Sequence, residues 1–213
     1  MIDFISREAF RLAPYTPGEQ PQNQEYMKLN TNESPFPPSE KVIRAVMEEQ
    51  VQRLNLYSDP SCKNLHRVLA EWYKVQPENI ISGNGSDEIL AFAFRAFCGE
   101  GKPVAYADIT YGFYKAQTAL FGLEAHIIPL REDFTMDMDE YLDFPGMLVI
   151  ANPNAPTGIS LPREEIERLL RANSQRVIPV SYTHLDVYKR QVQCRYKTFS
   201  RNRKTGDNRG IAI

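Results

Sequence analysis

The sequence predicts an α/β protein with a mainly parallel sheet flanked by helices. Two observations predict it. Short apolar runs, the clearest being Met-Leu-Val-Ile-Ala at 147–151, alternate along the chain with segments whose apolar residues recur at helical spacing. Polar segments rich in glycine, asparagine or threonine fall directly after several of these runs, at the strand ends where such sheets hold ligands.

Residues 1–38 are polar and proline-rich and predict an extended arm. Within it, Leu29-Asn30-Thr31-Asn32-Glu33-Ser34-Pro35 is a compact polar cluster with turn chemistry. A helix capped by Ser39 follows, with Val42, Ile43, Val46 and Met47 on one face. After the loop Leu56-Tyr57-Ser58-Asp59-Pro60, a second helix is expected over about 61–74, burying Leu65, Val68, Leu69 and Trp72. Ile80-Ile81 predicts a short strand, Gly83-Asn84-Gly85 a turn, and Ser86 the start of an apolar helix with Asp87 and Glu88 in its first turn.

Beyond that point strands are expected at 103–107, 126–130, 147–151 and from Val177 onward. Helices are expected at 111–121, closed by Gly122, and after Pro162, with a weaker helical piece at 138–144. Glu164 and Glu165 early and Arg168 and Arg171 late suit the dipole of the last helix.

Composition excludes several classes. The chain has 213 residues, 42% of them hydrophobic and 24% charged, with a net charge of −2, so nothing overall points to nucleic acid or a membrane surface. Apolar runs are far shorter than the roughly 20 residues of a membrane span, and no secretory signal is expected at the N-terminus. Cys62, Cys98 and Cys194 are odd in number and widely spaced, which fits a reducing cytoplasm rather than a disulfide framework. His66, His126 and His184 show no i, i+4 pairing, so no metal site is expected. From Ser181 onward eight Lys and Arg face only Asp186 and Asp207, so the tail differs in charge from the rest.

The segment 80–98 organises the chemistry. A glycine turn opening a helix presents unpaired N–H groups and the positive end of the helix dipole, which suits a phosphate. A plain turn with Ser86 as an ordinary cap is the simpler alternative. Tyr111 follows another strand and offers a ring to stack on a planar heterocycle, or anchors the core. Asn154, in a loop after the third strand, offers an amide to a ring hydroxyl, or simply shapes the turn. In a parallel sheet these loops converge on one edge.

Five motifs, in this order, resemble the fold-type I aminotransferases that use pyridoxal 5′-phosphate (PLP), most closely the histidinol-phosphate aminotransferase family: L-N-T-N-E-S-P (29–35), N-L-Y-S-D-P (55–60), S-G-N-G-S-D-E (82–88), T-Y-G-F-Y (110–114) and N-P-N-A-P-T-G (152–158). The resemblance covers about residues 23–178. It implies that Gly85, Ser86 and Asp87 hold the PLP phosphate, largely by backbone N–H groups, and that Tyr111 stacks on the pyridine ring. It further implies that Asn154 meets the ring 3-hydroxyl, Tyr57 reaches the cofactor of a partner subunit in a homodimer, and Asn32 lies near the substrate. Many relatives have Asn directly before Pro-Thr-Gly, where this chain has Ala155.

The family also uses an Asp in an Asp-x-Ala-Tyr segment and a later Schiff-base Lys in a Ser-Lys context. Neither motif occurs after residue 178. Asp186 and Lys189 have the right residue types but no matching context. No catalytic residue is therefore assigned. The expected organisation is an arm at 1–38, part of a PLP-binding large domain at 39–178, and a basic tail at 179–213 foreign to the family. The implied activity converts L-histidinol phosphate and 2-oxoglutarate to imidazole-acetol phosphate and L-glutamate in the cytoplasm, with this chain truncated and inactive. Two alternatives stand beside it: a related PLP enzyme (an aromatic aminotransferase or a threonine-phosphate decarboxylase) and a non-catalytic fragment. A dinucleotide-binding oxidoreductase fits poorly, because the turn lacks the third glycine of Gly-x-Gly-x-x-Gly.

Overall fold

A computed structural model describes residue 12 and residues 36–47, 51–99, 101–173 and 177–181. The arm with Asn32, and the tail beyond Ser181 with Asp186 and Lys189, lie outside the described residues.

Four strands form one parallel sheet in the order β2-β1-β3-β4: β1 Val104–Ala107, β2 Ala125–Ile128, β3 Met147–Asn152 and β4 Val177–Ser181. Among the described residues five α-helices accompany them: α1 Glu40–Ala45, α2 Lys63–Tyr73, α3 Ser86–Phe97, α4 Phe113–Phe121 and α5 Arg163–Ala172. The α4 crossover takes the chain from β1 outward to β2, whereas α5 takes it from β3 outward to β4 on the other side. The strand order therefore reverses between β1 and β3, the position at which open parallel sheets form a ligand crevice.

Both faces of β1, β3 and β4 are covered and these strands are largely apolar, whereas the edge strand β2 is exposed up to Ile128. Val104 and Tyr106 of β1, with Val149, Ile178 and Val180, pack on Leu90, Ala93 and Phe94 of α3 and Tyr114 of α4. Ala105 and Ala107, with Leu148 and Ile150 of β3, pack on Ile166 and Leu169 of α5 and on Met136, Met138 and Tyr141. This alternation along each strand is the period-two rule applied to a sheet with two buried faces. At the foot of the sheet Met147 N donates to Pro103 O at 2.9 Å. A Cβ on the preceding residue, Gly146, would stand 1.8 Å from that same carbonyl oxygen, so the approach requires glycine.

Sequence periodicity located most elements within a few residues. Gly122 closes α4 in the left-handed conformation, φ 62°, as expected of a C-terminal glycine. The weak helical piece at 138–144 is a 3₁₀ turn, Met138–Tyr141, capped by the Asp137 carboxylate on Asp139 N. α2 begins after Asp59, whose carboxylate accepts from Ser61 N at 2.9 Å and Lys63 N at 3.0 Å. The bonds from Ser61 and then Lys63 hold the Asp59 carboxyl below its ordinary pKa.

Four expectations need correction. Ile80-Ile81 is not in the sheet: Ile80 is extended, but it belongs to no ladder among the described residues, and Ile81 is 67% exposed. The predicted buried side of α2 is largely open, with Leu65, Val68 and Trp72 exposed and only Ala70 of that helix fully buried. Val42, Ile43, Val46 and Met47 are exposed as well. Periodicity marks an apolar stripe without saying what covers it. Finally, β4 pairs with β3 as far as Asn152↔Ser181, with Val180 buried, three residues past the boundary expected at 178.

Candidate functional site

The crevice between β1 and β3 is built into the pairing. β1 pairs with β2 along its whole length, from Val104↔Ala125 to Ala107↔Ile128. β1 and β3 pair only at Val104↔Met147 and Ala105↔Leu148. From Tyr106 and Val149 onward the two strands share no ladder, and the loops that follow them stand on either side of the opening.

Next to it lies the start of α3. Gly85 occupies the N-cap position at φ 86°, ψ 168°, a region essentially reserved for glycine. A Cβ there would meet nothing within 4 Å, so the approach to the helix start is open. No side chain caps the first turn. Gly85 N donates to Gly83 O at 3.1 Å and Asn84 N donates to Glu88 Oε2 at 2.6 Å, so the turn satisfies these donors itself. Ser86 and Asp87 stand in the first turn, where backbone donors have no intrahelical partner and the helix dipole is positive. An uncapped helix start, a glycine in a conformation other residues avoid and clear space in front of it together fit a phosphate.

Tyr111 is brought to the same place. Its hydroxyl donates to Asp87 Oδ1 at 2.7 Å. The ring packs edge-on against Tyr114 (centroids 5.8 Å apart, planes at 89°) and stacks beside Phe113 at 6.0 Å. The expected helix start at 111 is corrected to Phe113, which leaves Tyr111 in the loop. That loop is fixed from below by Asp108, whose Oδ1 accepts from Ile109 N at 2.8 Å and Leu130 N at 2.9 Å.

Asn154 joins the loops after β1 and β3. It is 3% exposed. Its Nδ2 donates to Ile109 O at 2.9 Å and to Thr157 Oγ1 at 3.3 Å, while its Oδ1 accepts from Thr110 Oγ1 at 2.8 Å. An amide nitrogen has two hydrogens, and both are used within the protein. The side chain latches one loop to the other, a role that residue type and spacing alone did not reveal. Asn152 braces the same loop further on: Leu161 N donates to its Oδ1 at 2.9 Å, and its Nδ2 donates to Leu161 O at 3.3 Å.

Gly85, Ser86, Asp87, Tyr111 and Asn154 thus share one edge of the sheet. Tyr57 does not join them: its side chain is fully exposed. Asn32 lies outside the described residues. Sequence reasoning assigned no role to Thr110 or Asp108, and the signal for both was their position directly after a strand. The far side of the loop that carries Asn154 borders an open cavity of about 450 Å³. Most of its charged groups pair with one another, Arg131 with Asp137 at 3.0 Å and Arg168 with Glu165 and Asp139, and the Asp133 carboxylate accepts from Thr135 N and Oγ1. Among the described residues no His, Cys, Asp and Glu cluster is arranged to hold a metal, and no helix is long and apolar enough to cross a membrane.

The family profile for aminotransferase class I and II matches residues 24–181, most of the chain and all four strands. The chain belongs to that family. Among curated relatives, the histidinol-phosphate aminotransferase of Marinomonas sp. MWYL1 is 49% identical over 188 residues, covering 87% of this chain and 53% of the relative. That of Brachyspira hyodysenteriae is 44% identical over 186 residues, covering 87% and 52%. The chain therefore spans about half the length of the curated relatives it matches. The crystal structure of histidinol-phosphate aminotransferase from Sinorhizobium meliloti in complex with pyridoxal-5′-phosphate superposes with a TM-score of 0.63 at 25% identity, over 71% of this chain and 42% of that one. The parallel sheet and its helices form the shared frame, and the crevice between β1 and β3 lies within the matched region.

Proposed function

We propose that this chain is the cofactor-binding part of a PLP-dependent aminotransferase that acts on L-histidinol phosphate and 2-oxoglutarate in histidine biosynthesis. One observation supports this above the others. The Tyr111 hydroxyl is bonded to Asp87 in the first turn of α3, so a stacking ring and an anion-binding helix start stand together. The similarity to relatives named histidinol-phosphate aminotransferase favours this substrate over other members of the frame.

Main-chain N–H groups of Ser86 and Asp87, made accessible by Gly85, bind the cofactor's phosphate. Tyr111 presents its ring to the pyridine plane, and Asp87 and Tyr114 hold that ring in place. Asn154 orients the loop edge next to the ring, and its contact with the 3-hydroxyl requires one of its present acceptors to yield. When bound, PLP supplies an electron sink that makes the substrate's α-proton acidic. Tyr57, exposed beside exposed Leu54 and Leu56, reaches the cofactor of a second copy in a homodimer. Asn32 contacts substrate, and the whole protein works in the cytoplasm. The large domain begins near residue 39 and runs to the end of β4 at Ser181, and the basic tail beyond it is foreign to the family.

Equilibrium dialysis of the 213-residue chain against PLP, with inorganic phosphate as competitor, tests the reading. Saturable PLP binding displaced by phosphate is expected, without transamination of L-histidinol phosphate. Failure to bind PLP overturns the cofactor assignment. A borohydride-stable PLP adduct on Lys189 overturns the expectation of inactivity.

A further inference from the structure

Glu88 has no place in the cofactor reading, yet its carboxylate is bonded to the glycine turn. It sits in the first turn of α3 and reaches back to Asn84, where the backbone N–H donates to Oε2 at 2.6 Å. This reach resembles half of a capping box shifted one residue outward, from the N-cap Gly85 to Asn84, and the charge on the acceptor strengthens a bond that is otherwise exposed. The negative charge also suits the positive end of the helix dipole.

A second observation concerns Gly83. Its backbone does not require glycine, since it is absent from the positive-φ positions. A Cβ on it would nevertheless stand 2.8 Å from Glu88 Oε2 and 2.7 Å from Ile89 Cδ1. The small residue at 83 thus leaves room for the exposed Glu88 carboxylate to lie against the turn. The first glycine serves the brace, and the second, Gly85, serves the conformation.

We propose that Glu88 is a positioning residue for the anion cradle. By accepting the Asn84 N–H it fixes the turn at 83–85, so that the donors of Ser86 and Asp87 are aimed outward before any ligand arrives. The inference rests on the cofactor reading above only for the identity of the anion. The brace itself is a property of the polypeptide. It also has a cost, because a carboxylate in the first turn repels an incoming phosphate dianion.

The test combines amide hydrogen exchange at Asn84, followed by NMR on the full chain, with titrations of PLP and of inorganic phosphate. E88A is expected to speed Asn84 exchange about tenfold and to weaken both ligands by a similar factor. E88Q keeps an acceptor of the same length without the charge. It is expected to leave Asn84 protected and to bind both ligands at least as tightly as the unaltered chain. G83A keeps the carboxylate but crowds it, and is expected to speed Asn84 exchange as E88A does. Unchanged Asn84 exchange in E88A, or an E88Q chain that behaves like E88A, overturns the proposal. If the unaltered chain binds neither ligand, the cofactor reading fails, and the Asn84 exchange comparison still decides for or against the brace.

Discussion

The Tyr111 hydroxyl and the Asp87 carboxylate, 24 residues apart in sequence, meet at 2.7 Å and tie the loop after β1 to the first turn of α3. The bond is exposed, so it contributes less than a buried charged hydrogen bond, about 1 kcal/mol. Y111F keeps the packing against Phe113 and Tyr114 but frees the ring to tilt. Its PLP affinity is expected to fall about fivefold, and that of Y111A by more, both measured by dialysis.

Asn154 is the buried counterpart. N154A leaves the Ile109 carbonyl and the Thr110 hydroxyl without the Asn154 amide as partner in a part-buried site. A loss of about 1–3 kcal/mol is expected in urea denaturation. N154D retains the acceptor for Thr110 but turns an oxygen toward the Ile109 carbonyl, so it is expected to destabilise further. Equal stability of all three proteins contradicts the latch.

Gly85 separates strain from contact. A methyl there meets open space, but the backbone at φ 86°, ψ 168° is costly for any other residue, about 1–3 kcal/mol. G85A is expected to remain folded with a lowered melting temperature and with weakened phosphate binding. A variant as stable as the parent shows that the turn relaxes freely.

The two described cysteines should differ in reactivity. Burial pushes the Cys98 thiol up to about 12, whereas Cys62 is half-buried. At pH 8 roughly one Cys98 in ten thousand carries the reactive thiolate. Alkylation mapped by mass spectrometry is expected to modify Cys62 in the folded chain and Cys98 only after denaturation.

Much of this was legible in the sequence because it rests on local rules. Residues 147–151 read as a buried strand, Gly122 as a helix stop, and the glycine turn before Ser86 as the opening of a helix, each from its own neighbours. Ile80-Ile81 misled because a strand is defined by its partner, and the apolar run carries no information about one. The stripe of α2 misled similarly: Leu65, Val68 and Trp72 are spaced to be buried, but periodicity does not name a cover. The partners of Asn154 were hidden for another reason. Ile109 and Thr110 lie more than 40 residues away, and only the crossing of two loops brings them to its amide.

The contact at Gly146 has a reach beyond its size. Because the chain passes so close to the Pro103 carbonyl there, the two central strands are clamped at one end while the other end gapes like the jaws of a clothes-peg. A single methyl at 146 would meet the Pro103 carbonyl and force these two strands apart at their joined end. A position remote from every proposed binding group thus holds the strand pair together opposite its opening.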